Sequence, residues 1–347
     1  SYLMALSVGD LAFGSIGPRT GVYAEPSVLE KAVYEFAQME DMLVAAEKLY
    51  GKYAWDRYDV IVLPPSFPFG GMENPRLTFA TPTILAGDRS LTALIAHEMA
   101  HSWSGNLVTN VNWDDFWLNE GFTVYFEQRI MEEVYGREYS EMLALLSHQG
   151  LLEEVKEMSK ENPEDTHLKL KLSGRNPDDG MTAIAYDKGY FFLRLVEETM
   201  GREQFDKFLK GYFTENAFSS MDTERFVEIL KSSVSKEEWN KINPEAWIYG
   251  PGVPENCPEV ESQKFALVDS TLDNWVQSGN WSDNDWSTHE WLHFINNIPE
   301  DISMDQLKDL DARTSLTQSG NCEIQAAWYE VAIKHGYRAA DDSIQQF

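Results

Sequence analysis

At 347 residues, with 43% hydrophobic and 13% aromatic side chains, the chain is long enough for two domains and too apolar to be disordered. A formal net charge of −29 argues against nucleic acid and anionic membrane as partners; it suits cationic peptides or salty surroundings, and plain solubility accounts for it as well. No run of eighteen apolar residues is present to span a membrane, and Cys257 and Cys322 are too few for a disulfide framework.

Residues 1–25 alternate in polarity around Gly9, Gly14, Gly17 and Gly21 and predict one or two strands with turns. The opening has no basic n-region, no signal cleavage site and no initiator Met, so the chain reads as beginning inside a longer protein. From Pro26 to Leu49 the apolar residues Val28, Leu29, Ala32, Val33, Phe36, Met39, Leu43 and Ala46 keep a helical period, predicting one helix ended by Gly51. Tyr58 to Leu63 predicts a short buried strand stopped by Pro64 and Pro65. Gly70-Gly71-Met72-Glu73-Asn74 then predicts a tight turn feeding an edge strand over Leu77 to Thr81. Glycine lets a ligand approach the backbone closely, and Glu73 after such a turn can point into a cleft; an ordinary turn with a solvated glutamate fits the same residues.

Ser90 to Gly105 predicts a helix with Ser90 as N-cap and Leu91, Leu94, Ile95 and Met99 on its buried face. It contains His97-Glu98-x-x-His101. Two histidines four apart lie on one face and can reach a single ion. Zn²⁺ accepts neutral imidazole and needs a third protein ligand if one position is to stay open for water. Glu120, with eighteen residues between it and His101, is the candidate, on a second helix predicted from about Asp114 to Tyr135. Glu98 then sits beside the metal, placed to take a proton from the attacking water. The same five-residue pattern recurs at His289-Glu290-Trp-Leu-His293. There the equivalent spacing lands on Ala312 and no companion turn exists, so it reads as a core face with Trp286, Trp291, Leu292 and Ile295.

Residues 137–157 predict another helix, and 158–183 a polar, irregular loop of the kind that often serves function. Ile184 to Val196 predicts an apolar helix carrying Tyr186, which by itself reads as a core aromatic. Helices near 202–216 and 222–233 follow, then a Pro/Gly linker from Trp247 to Pro254. The tail predicts helices near 262–278, 284–297, 303–313 and 322–336.

Three stretches in register, Gly70 to Asn74, His97 to His101 and Trp117-Leu118-Asn119-Glu120-Gly121, resemble the aminopeptidase N family of gluzincin metallopeptidases. Pro64 to Pro75 and His101 to Asn110 resemble its leukotriene A(4) hydrolase/aminopeptidase B branch in particular. The resemblance implies an α+β, mostly α fold. A thermolysin-like zinc metallopeptidase catalytic domain would span 21–255, and a truncated α-helical domain 256–347. Residues 1–20 would be the last strands of a preceding β-rich domain. It implies one Zn²⁺ per chain on His97, His101 and Glu120, with Glu98 as general base. Glu73 would hold the substrate's α-amine, Gly70, Gly71 and Met72 would line the peptide, and Tyr186 would donate to the oxyanion. Asp178 would sit in a side-chain pocket with Phe69 and Phe116 and favour N-terminal Arg or Lys.

Two departures bear on the reaction. Phe69 stands where the branch usually has tyrosine, and Met181 where the epoxide hydrolase has one. The basic residues that hold the lipid carboxylate in that hydrolase would lie beyond Phe347. The implied activity is a zinc aminopeptidase acting on peptides with a free N-terminus. A leukotriene-type epoxide hydrolase, or a zinc-binding body without turnover, are the alternatives. Oligomeric state and compartment stay open, with the cytoplasm the favoured setting.

Overall fold

Val60, Ile61 and Val62 form the middle of a five-stranded sheet in the computed structural model, which describes residues 3–281 and 285–347. The strands are β1 (Ala12–Ser15), β2 (Thr20–Ala24), β3 (Tyr58–Val62), β4 (Gly71–Met72) and β5 (Leu77–Ala80), in the order β1-β2-β3-β5-β4. β3 lies parallel to β2 and β5 and is buried along its whole length, as expected of a strand covered on both faces. β1 and β4 close the two sides antiparallel.

Two expectations change here. Leu77–Ala80 is not the edge: Gly71 pairs with Ala80 and Met72 with Phe79, so the Gly-Gly-Met turn is itself the edge strand. Residues 12–15, expected as the end of a separate β-rich unit, pair with 21–24 and belong to this sheet, because the open side of β2 offers backbone groups that must find partners.

The predicted helix from Pro26 to Leu49 is two, α1 (Leu29–Glu35) and α2 (Met39–Tyr50). Phe36, Met39, Leu43 and Ala46 stay buried across the break, which is why the periodicity reads as continuous. The break turns Glu35 inward, where it accepts Gly87 N at 2.9 Å and Arg89 N at 2.8 Å. Helix α3 (Ala93–Ala100) begins later than predicted. Ser90 does not cap it; its hydroxyl donates to Asp88 at 2.6 Å, and residues 90–92 form a turn.

After β6 (Val108–Asn110) come α4 (Trp117–Tyr135), α5 (Arg137–Glu161), a π-helical turn at Ile184–Lys188 and α6 (Gly189–Met200). Then follow α7 (Arg202–Glu215), β7 (Ser219–Met221), which pairs parallel with β6, α8 (Thr223–Ser233), α9 (Lys236–Ile242) and α10 (Pro244–Ile248). The tail forms α11 (Gln263–Ser278), α12 (Thr288–Asn296), α13 (Met304–Thr314), α14 (Cys322–His335) and α15 (Asp341–Gln346). The first residue of the predicted 284–297 helix lies outside the described residues. No described helix is long and apolar enough to cross a membrane.

Helix α4 is the axis of the larger core. Every residue from Trp117 to Phe126 is buried, so it is covered all round rather than along one stripe. It crosses α6 where Gly121 meets Gly189; a Cβ on Gly121 would lie 2.7 Å from Gly189 Cα. A second hydrophobic cluster joins α11 to α14 through Trp275, Phe294, Leu307 and Trp328. It is tied to the first by Asp88, which accepts both the backbone N and the hydroxyl of Thr288 at 3.0 Å.

The second His-Glu-x-x-His stretch lies beside that cluster with Glu290 and His293 already engaged, while His289 Nδ1 is buried without a hydrogen-bond partner among the described residues. Glu290 accepts Ser287 N at 3.0 Å and so caps its own helix. His293 stacks on Phe265 at 4.0 Å and faces Asp269 at 2.8 Å.

Gly121→Ala should lower stability by about 1–3 kcal/mol through overpacking, read as a lower denaturation midpoint. Gly150→Ala, exposed in α5 with open space around its Cα, should instead raise it by about 0.5–1 kcal/mol.

Candidate metal centre and active-site cleft

Helix α3, the start of α4, the β4 edge and the Tyr186 turn converge on one cleft of about 810 Å³. One helical turn separates His97 from His101, and their rings meet edge to face with centroids 4.8 Å apart. Glu98, one residue on, points toward β4. Gly71 makes room for it: a Cβ there would lie 2.6 Å from Glu98 Cδ.

The hydrogen bonds fix the imidazole tautomers. His97 Nδ1 faces Glu127 Oε2 at 3.1 Å, and His101 Nδ1 faces Ser104 O and Asn119 Oδ1, each at 3.0 Å. All three are acceptors, so both Nδ1 atoms carry the proton and both Nε2 atoms present lone pairs. Those Nε2 atoms are 3.2 Å apart. Glu120 Oε2 stands 3.3 Å from one and 3.5 Å from the other, buried and with no donor aimed at it. Three acceptor atoms directed at one point are the donor set of a cation, and two imidazoles with one carboxylate suit Zn²⁺.

The electrostatics agree. Burial works against the Glu120 charge, yet His101 and His97 hold its pKa below the ordinary carboxylate value. Burial also opposes charge on His97, but Glu120 and Glu127 outweigh it and raise its proton affinity well above normal. This site attracts positive charge, and a metal ion competes there with a proton. Glu98 is shifted the other way: burial pushes it up to about 7 against the pull of His97 and His101. A divalent cation at the adjacent donors draws it back down. Its Oε2 is buried and unpartnered.

The other residues singled out in the sequence line the same cleft. Glu73 is buried beside Glu98 and His101, and its backbone carbonyl is held by Asn106 at 2.9 Å. Gly70, Gly71 and Met72 form the edge beside it. Tyr186 lies over His97, with ring centroids 6.1 Å apart, and against Phe116 at 6.0 Å. Burial and the charges of Glu120, Glu98 and Glu73 raise its pKa, so the hydroxyl stays protonated. Asp178 is exposed at the rim, and Phe69 and Met181 are about half exposed in the opening. Tyr186 sits in a π-helical turn rather than in the plain α-helix predicted, a local widening common at functional sites.

Sequence reading missed the groups that hold the histidines. Glu127 is seven residues after Glu120, hence on the same face of α4, and that spacing would have found it. Asn119, Ser104 and Thr123 around His101 left no such signal, because their contacts depend on how the segment after α3 folds back.

Asn119→Ala should weaken divalent-metal affinity by about 10–100-fold, measured by competition with a chromophoric chelator. Affinity unchanged from the parent would remove Asn119 from the ligand support.

Residues 34–247 match the peptidase family M1 domain, and residues 286–347 match the C-terminal domain of leukotriene A4 hydrolase. Leucine aminopeptidase 2 of Yarrowia lipolytica is 39% identical over 359 residues, covering 96% of this chain and 55% of that protein. Aminopeptidase B of Mus musculus is 36% identical over 368 residues, covering 100% and 56%. The structure of native leukotriene A4 hydrolase from Saccharomyces cerevisiae superposes with a TM-score of 0.86 at 33% identity, over 94% of this chain and 57% of that one. The chain thus spans somewhat over half the length of the relatives it matches. With the family domain extending from α1 to α10 and enclosing the whole donor set, the chain belongs to peptidase family M1.

Proposed function

We propose that this chain forms the catalytic part of a zinc-dependent aminopeptidase that removes the first residue from peptides with a free α-amine. The observation that carries the reading is the convergence of the His97, His101 and Glu120 lone pairs beside an unpartnered Glu98 and within reach of Glu73. In this reading one Zn²⁺ is held by His97, His101 and Glu120, and when bound it supplies Lewis acidity to the scissile carbonyl and to water. The sheet, β1 included, and the helices up to residue 255 act as the catalytic unit, and 256–347 as a helical unit packed on it.

Each remaining step belongs to a side chain. Glu98 takes the proton of the attacking water and returns it to the leaving amine. Tyr186, kept protonated by burial and its acidic surroundings, donates to the developing oxyanion, a contribution of about 3–4 kcal/mol where such donors have been removed. Glu73 pairs with the substrate ammonium, and a blocked terminus would leave its buried carboxylate without that partner. Among the described residues the outer side of β4 has no neighbouring strand, so the substrate backbone can add to it at Gly71 and Met72. Phe69, Phe116 and Met181 receive the first side chain, with Asp178 at the rim favouring a basic one. Met181 brings no hydroxyl to the cleft, which disfavours the epoxide-hydrolase reading.

Zinc analysis and unblocked arylamide hydrolysis test this directly: the chain should hold one zinc and release the N-terminal residue. Failure to turn over any unblocked substrate with zinc bound would leave a metal-binding body without turnover. Glu98→Gln should lower kcat by about 10²–10⁴-fold while zinc content stays the same. N-acetylated substrates should be cleaved poorly, and equal rates on blocked and unblocked forms would sink the role of Glu73.

A further inference from the structure

Lys188 closes the π-helical turn that carries Tyr186, and it is wholly buried. Burial, with no carboxylate among the described residues paired to it to offset the cost, draws its ammonium down to about 7. Its Nζ donates instead to two backbone carbonyls, Thr166 O at 2.7 Å and Gly250 O at 2.9 Å. Those carbonyls lie on separate segments: the Pro163–Thr166 turn, in the long connection before Tyr186, and the stretch after α10. The two segments are also joined to each other, since Thr166 Oγ1 accepts Gly252 N at 2.8 Å.

From Thr166 a chain of contacts leads to the cleft. Asp165 grips Arg175 with two bonds of 2.6 and 3.0 Å, and Arg175 Nε reaches Asp179 at 3.3 Å. Asp179 adjoins Asp178 in the Pro177–Gly180 turn. Pro177, Asp178 and Met181 form one wall of the cleft, and Tyr186 stands on the other side of the same connection. This wall lies between Thr166 and the Tyr186 turn; Leu170 and Leu172 upstream of it are also held, by Asp114 at 3.1 and 2.7 Å, and a buried lysine joins the two ends of the connection.

We infer that Lys188 is a positioning residue whose two carbonyl bonds fix the wall of Pro177, Asp178 and Met181 relative to Tyr186, and so set the width of the pocket for the substrate's first side chain. The pocket's role rests on the aminopeptidase reading; the mechanical tie does not.

The test compares the full chain with Lys188→Met and Arg175→Gln. Amide exchange read by mass spectrometry reports the tie without any catalysis: residues 163–181 should exchange faster in both variants while α3 and α4 keep the parent rate. Hydrolysis of leucyl and alanyl arylamides reports the width. The leucyl-to-alanyl ratio of kcat/KM should fall about tenfold in Lys188→Met, the scale of a lost pocket contact, mainly through KM, and should fall in the same direction in Arg175→Gln. An unchanged ratio overturns the proposal, and so does an equal loss on both substrates with exchange raised throughout the molecule. Should Lys188→Met fail to fold, the surface variant Arg175→Gln decides by the same two readouts. If the parent hydrolyses neither arylamide, the aminopeptidase reading fails on its own, and local exchange over 163–181 decides whether the tie exists.

Discussion

Two imidazole nitrogens facing each other at 3.2 Å, with a carboxylate oxygen beside them, repel unless positive charge, a proton or a metal ion, lies between them. Everything around this point keeps them facing. Glu127 holds one ring from behind, and Asn119 with the Ser104 carbonyl holds the other. Each of these groups lies on α4 or on the chain leading into it from α3, so the packing of those two helices is the condition for the site. That packing leaves little freedom: Met99 and Ala100 of α3 and nearly the whole first half of α4 are buried. The donor set is held in place by hydrophobic burial before any ion arrives, which lowers the ordering cost of binding one.

Within this frame, carboxylates of the same chemistry are set to different tasks by their surroundings. Glu120 has two imidazoles against it and is held in its charged form. Glu98, one helix away, is buried against Gly71 and is pushed toward neutrality. In the proposed reading, the permanently charged group suits a ligand and the group nearer its own titration point suits a proton carrier. Gly71 joins the two functions of the β4 edge. Its missing side chain leaves space for Glu98, and in the proposed reading the same residue offers backbone to a peptide.

The grouping of the donor side chains was more legible in the sequence than the order and breaks of the elements were. A helix turns each residue by a fixed angle, so His97, His101 and their neighbours could be put on one face from spacing alone. Elements whose form depends on distant partners could not. The α1–α2 break hides under an unbroken apolar period because the buried face continues through it. Ser90 has the chemistry of a cap, but Asp88 lies closer to its hydroxyl than the helix end does. The edge position fell to Gly71–Met72 and not to Leu77–Ala80, since strand order is a long-range property that a local alternation cannot report. The two His-Glu-x-x-His stretches make the same point from one motif. At 97–101 the rings face each other and a third acid; at 289–293 the same residue types cap a helix and stack on Phe265.

The aim of Glu120 also depends on the side of α4 that never meets the cleft. Nine residues on a helix amount to about half a rotation beyond whole turns, so Arg129 projects from the face opposite Glu120, whereas Glu127 shares its face. Arg129 is buried and bonded to both oxygens of Asp206, at 2.8 and 3.0 Å, and to the Tyr125 hydroxyl, which in turn donates to Glu197 of α6 at 2.7 Å. A buried ion pair adds little net stability over a well-packed apolar contact. Unlike an apolar contact, however, it is directional and loses its bonds if the helix rotates by a single position. Since α4 is buried on nearly every side, these directional bonds at its back add to the close packing along its first half. In a chain with 28 basic residues against 57 acidic ones, placing a buried arginine at the back of this helix gives it one preferred rotation, and that rotation turns Glu120 and Glu127 toward the two histidines.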